Sequence, residues 1–113
     1  MVHYQPEQLD LAFAALADPT RRDVLVRLGG GSATISQLAA PHGISLTGMK
    51  KHVQVLETAG LVTTEKVGRA RVCRATPGRL DAIEAWMQAY RRMVEERMDR
   101  LGELLERTQE ESP

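Results

Sequence analysis

Residues 34–60 read TISQLAAPHGISLTGMKKHVQVLETAG. Thr34-Ile35-Ser36-Gln37 has the form of a capping box, in which the Thr oxygen accepts from the Gln37 backbone N–H and the Gln side chain reaches back. It predicts a short helix over 34–40, with Ile35, Leu38 and Ala39 facing inward. Pro41-His42-Gly43 stops that helix after about two turns. Ser45 caps a second helix, 45–59, in which Met49, Val53 and Leu56 share one face. Thr47, Lys50, Lys51 and Gln54 stay outside, and Ala59-Gly60 closes the helix. A short packed helix, a tight turn and a helix apolar on one side and cationic on the other spell a helix-turn-helix over 34–59.

The flanks extend this unit. Leu61 to Val67 is rich in β-branched residues, Gly68-Arg69 is a turn signal, and Arg69 to Ala75 alternates. These features predict a hairpin over 61–75, with Arg69, Arg71 and Cys73 on one face. Upstream, Leu9, Phe13 and Leu16 sit at helical spacing. Asp18-Pro19 is a cap followed by a proline in the first turn, opening a helix with Val24, Leu25 and Leu28 as its stripe. Downstream, Thr76-Pro77 opens a long helix over 77–107, whose stripe runs through Leu80, Ile83, Met87, Tyr90, Val94, Leu101 and Leu104. That stripe, with Trp86 and Met93 beside it, exceeds what one small domain covers and calls for a second copy. The fold expected is mainly α with a small β-hairpin: a single winged helix-turn-helix domain over 1–113, pairing through its last helix.

Composition narrows the function. The 113 residues carry fifteen basic and fifteen acidic side chains, for a formal charge of zero. The charge is unevenly placed. Residues 45–79 hold seven Lys or Arg against two Glu, whereas residues 80–113 hold five Arg against nine acids. A basic middle suits a polyanion such as nucleic acid. One cysteine excludes an internal disulfide framework and a Cys-only zinc site. No apolar run reaches membrane-spanning length, and Met1 to Gln5 lacks a secretion-signal profile, so a cytoplasmic protein without membrane partners is expected. No nucleophile elbow, phosphate loop or paired carboxylate is readable, and no enzyme is expected.

Ala15-Leu16-Ala17-Asp18-Pro19-Thr20-Arg21-Arg22, Lys51-His52-Val53, Leu56 to Val62 and Gly68-Arg69 resemble, in order and spacing, the signatures of ArsR/SmtB-type winged-helix repressors. The resemblance spans roughly residues 9–105. It implies a homodimer dimerising through its first and last helices, whose recognition helices enter successive major-groove segments of a palindromic operator, often the regulator's own. The DNA-binding residues expected are Ser45, Thr47, Lys50, Lys51, His52, Gln54, Lys66, Arg69 and Arg71. Thr47, Lys50 and Gln54 are assigned to base edges, and the cations to phosphates. Leu9, Phe13, Ile83, Trp86, Met87, Tyr90 and Val94 are expected in the dimer interface. The chain departs from the metal-sensing members, since residues 34–40 lack thiols and the last helix lacks His; His3, His42 and His52 form no i, i+4 pair. A metal-independent member with no cofactor and an unknown inducer is expected. Two other readings remain: a winged-helix protein-interaction module, and a redox-sensing repressor whose Cys73 is activated by Arg71 and Arg74.

Overall fold

The structure is a computed structural model that describes residues 6–111, with side chains described over 7–110. Met1 to Gln5, including His3, lie outside the described residues. The elements run α1 (Pro6–Leu16), α2 (Pro19–Gly29), β1 (Ala33–Thr34), α3 (Ile35–Ala39), α4 (Leu46–Thr58), β2 (Val62–Val67), β3 (Ala70–Ala75) and α5 (Leu80–Glu111). Single 3₁₀ turns occupy Ala40–His42 and Pro77–Arg79. The chain divides into two units after Ile83.

In the first unit α2, α3 and α4 each begin where side-chain chemistry supplies an acceptor. Asp18 caps α2 through the Arg21 N–H at 3.1 Å. Thr34 and Gln37 make both bonds of the capping box, at 3.2 and 2.9 Å. Ser45 accepts from the Gly48 N–H at 3.0 Å. Each satisfies a backbone donor that the helix itself leaves without a partner. The end of α4 is a Schellman motif. The Gly60 N–H donates to Glu57 O at 3.0 Å and the Leu61 N–H to Leu56 O at 2.9 Å, with Gly60 at φ +76°.

The helices and sheet close on one core. Val24 and Leu28 from α2, Ile35 and Leu38 from α3, and Met49, Val53 and Leu56 from α4 meet Leu61, Val62 and Cys73. The inward face of α1 is Ala12 and Ala15, not Phe13, which is 38% exposed. Small side chains there let α1 approach α2 and α4 closely.

The sheet has three antiparallel strands in the order β1-β3-β2, one more than the expected hairpin. β1 pairs Ala33 with Cys73 and Thr34 with Val72. It is two residues long, too short to show a period. Thr34 is extended at φ −80° and ψ 162°, so one residue ends β1 and caps α3. The β2–β3 turn is Gly68-Arg69, with Gly68 at φ +62° as a two-residue hairpin turn of the primed type requires.

The second unit is the body of α5. Its helix continues four residues past the expected end, to Glu111. Trp86 and Tyr90 stack one turn apart, centroids 5.5 Å and planes within 3°. Trp86, Met87, Tyr90, Met93, Met98, Leu101, Leu104 and Leu105 are all exposed. At about 100° per residue they share one broad side of the helix.

Candidate nucleic-acid interface

The outward side of α4 is built by the packing of its inward side. Met49 and Leu56 are fully buried and Val53 is 2% exposed, which fixes the helix rotation. Thr47, Lys50, Lys51 and Gln54 consequently lie exposed. Ser45 is exposed at the N-terminus of α4, where the helix dipole and free N–H groups favour an anion.

The wing brings further cations to the same place. A groove of about 530 Å³ is lined by Lys50 and Leu46 of α4, Thr34, Ile35 and Ser36, and Lys66, Arg69, Ala70 and Arg71 of the wing. Four expected DNA-binding cations therefore surround one opening, and its lining holds no acid. The β-hairpin register explains the convergence: Lys66 pairs with Arg71, one step from the Gly68-Arg69 turn. Arg74 is not part of this set; it sits 3.9 Å from Glu65 on the exposed sheet.

Two residues missed at the level of sequence hold the wing against α4. Thr64 Oγ1 donates to Glu57 Oε2 at 2.7 Å, and Arg71 Nη1 donates to Thr64 Oγ1 at 3.0 Å. This chain from α4 through β2 to β3 aims the Arg71 guanidinium. Alternation from buried Val62 to half-buried Thr64 and on to Lys66 carried the signal for Thr64. Nothing local marked Glu57, because its partner is fixed only once β2 has folded back along α4.

His52 stands apart from the other expected contacts. It is half-buried on the flank of α4, and its Nδ1 lies 3.3 Å from Arg21 Nη1. Arg21 also donates through Nε to Ala15 O at 2.8 Å and through Nη2 to Ala14 O at 2.9 Å, and Arg22 donates to Leu16 O at 2.7 Å. The two arginines thus satisfy the last carbonyls of α1.

Cys73 is fully buried between β1 and β2. Burial, followed by the nearby Glu57 carboxylate, pushes its thiol upward, and Arg71 offsets only part of this. The activation expected from Arg71 and Arg74 is therefore reversed. Among the expected interface residues, Ile83 is already buried within its own chain at 7% exposure. Leu9 and Val94 are half-buried, and Phe13, Trp86, Met87 and Tyr90 are exposed. Among the described residues no three His, Cys, Asp or Glu side chains converge to hold a metal ion, and no helix is long and apolar enough to cross a membrane.

A helix-turn-helix followed by a cationic wing defines a winged helix-turn-helix protein, and comparison with known proteins narrows the class. A helix-turn-helix domain family matches residues 16–65. The HTH-type transcriptional regulator Rv2034 of Mycobacterium tuberculosis is 35% identical over 81 residues, 72% of this chain and 76% of that one. The transcriptional repressor SdpR of Bacillus subtilis is 33% identical over 57 residues, 50% and 63% of the two chains. The crystal structure of the ArsR family transcriptional regulator RHA00566 superimposes with a TM-score of 0.78 at 45% identity, covering 84% of this chain and 97% of the other. The chain belongs to the ArsR-type helix-turn-helix family of transcriptional regulators.

Proposed function

We propose that the protein is a homodimeric transcriptional repressor that binds a palindromic DNA operator in the cytoplasm. In this reading α4 enters the major groove, with Thr47, Lys50 and Gln54 toward base edges. Ser45, Lys51, Lys66, Arg69 and Arg71 hold phosphates, and the β2–β3 turn lies along the backbone beside α4. The convergence of Lys50, Lys66, Arg69 and Arg71 on one acid-free groove carries the reading. A protein-interaction surface has no need of four cations there. Repression is supported by the similarity to SdpR, named a repressor.

The homodimer rests on α5. Its half-exposed apolar side, with Phe13 of α1, offers surface whose burial stabilises by roughly 25 cal/mol per Å² before association costs. Two copies then present two α4 helices to half-sites about 10 bp apart. Control without metal is supported by the donors present: Cys73 is buried in the sheet and His52 is engaged with Arg21. Autoregulation of the protein's own operon is part of the same proposal.

Lys50→Ala is the direct test. Removing a good base contact costs about 1–3 kcal/mol and relaxes specificity at one position, whereas removing a phosphate contact weakens all sequences alike and lowers the salt slope by about one. Titration of the variant on the operator and on scrambled DNA, at several salt concentrations, separates the two roles. Parental affinity for both DNAs would remove Lys50 from the interface.

A further inference from the structure

The contact between Arg21 and His52 joins the end of α1 to the flank of α4. From it we infer that Arg21 and His52 form a latch that positions α4 for DNA, with His52 acting through Arg21 rather than touching a phosphate. The inference rests on the DNA-binding reading above.

The chemistry of the contact is one-sided. A guanidinium has only donors, so at 3.3 Å the His52 Nδ1 must accept and the ring proton resides on Nε2. A doubly protonated ring has no acceptor left and cannot hold the latch. The guanidinium is not free to turn elsewhere. Its Nε and Nη2 are bound to the carbonyls of Ala15 and Ala14, at the end of a helix that packs on the core through Ala12 and Ala15. One planar group with three fixed partners therefore ties the end of α1 to the flank of α4.

The position of His52 supports a role other than reading. At about 100° per residue it lies roughly 140° around the helix from Thr47 and farther still from Lys50. Lys50 lines the cationic groove, whereas His52 faces the junction of α1 and α2. It is half-buried, whereas Thr47, Lys50, Lys51 and Gln54 are exposed.

Substitutions at His52 separate positioning from direct contact. In His52→Asn, the amide oxygen stands where Nδ1 stood, so the acceptor for Arg21 is kept and the outer N–H is lost. In His52→Gln, the longer side chain carries its amide to the outer position and leaves nothing at Nδ1. Gln is the better helix former, so a loss in that variant does not come from helix propensity. Operator affinity is expected to stay within about two-fold of the parent in His52→Asn and to fall about ten-fold in His52→Gln and in Arg21→Met, the scale of one lost charge-assisted hydrogen bond. Combining Arg21→Met with His52→Gln should weaken binding no further than either alone, because both remove the same contact. Ring ¹⁵N spectra of the DNA-free parent should show His52 protonated at Nε2 alone, and Arg21→Met should show a mixture of tautomers. The inference is overturned if His52→Asn falls as far as His52→Gln, if Arg21→Met binds like the parent, or if the parent ring carries its proton on Nδ1. Because the spectra need no DNA, a protein that ignores duplexes yet shows the Nε2 form loses the DNA-binding reading and keeps the contact.

Discussion

Asp18 shows how one side chain couples a local cap to the pH response of the fold. The Arg21 backbone N–H donates to its carboxylate, and this bond, with the charge of Arg21 nearby, holds the carboxyl below its ordinary 3.8 against a smaller desolvation effect. A carboxyl with a depressed folded value is protonated first in the unfolded chain. Its stabilising effect is therefore complete above about pH 3.8 and is lost as pH falls through the lower folded value. Asp18→Asn keeps a cap acceptor and removes the charge. Thermal unfolding at a series of pH values should show a shallower acid limb in the variant, and parallel acid limbs would refute the assignment. Cys73 makes the opposite case. Buried and pushed upward, its thiol is a poor nucleophile in the folded protein. A thiol-specific reagent should modify it only as fast as the sheet opens, and mild peroxide should leave operator affinity unchanged. Fast modification without unfolding would reinstate the redox reading.

At the scale of elements, the end of α4 determines how the chain enters the wing. The Schellman motif places Gly60 at φ +76°, where a Cβ would also come within 2.7 Å of the Arg79 side chain. Arg79 is exposed and can swing aside, losing only its 3.5 Å bond to Gln8, so backbone conformation dominates the penalty. Gly60→Ala should destabilise by about 1–2 kcal/mol and lower the thermal midpoint by several degrees, as read by circular dichroism. An unchanged midpoint would mean that the turn relaxes freely. This helix end was legible in the sequence, as were the capping box and the 4-and-3 spacing of Met49, Val53 and Leu56, because each is a local pattern set by helix geometry. β1 was not legible, since two residues show no period and their strand character comes only from pairing with Cys73 and Val72. The core face of α1 was not legible for a related reason: Leu9, Phe13 and Leu16 dominate its helical spacing, whereas close packing selects the small Ala12 and Ala15. The four groove cations were visible as types, but their convergence depends on the Lys66–Arg71 register and on Thr64 bridging to Glu57.

For the whole molecule, affinity and dimerisation should rise and fall together. In the proposed complex a single α4 with its wing touches one half-site. Two joined copies turn the second contact into an intramolecular event, which strengthens binding by about 10²–10⁴-fold when the spacing matches. The surface proposed to join them is the apolar side of α5, where Tyr90 is 52% and Trp86 48% exposed in the single chain. Tyr90→Glu puts a charge at its centre, and burying an unpaired carboxylate there is strongly unfavourable. The substitution lies on an exposed position of a helix and leaves the core around Met49 and Leu56 untouched, so the variant should fold. Sedimentation should then show a monomer for the variant and a dimer for the parent. Trp86 fluorescence of the parent should shift to the red on dilution, whereas that of the variant should already be red-shifted at high concentration. Affinity for a palindrome should drop by about the factor that linkage supplied, while affinity for an isolated half-site should hardly change. The two DNA measurements together distinguish lost pairing from damage to α4, because damage would weaken both. A variant that remains dimeric, or that binds the palindrome as a monomer with parental affinity, would show that α5 does not join the reading heads.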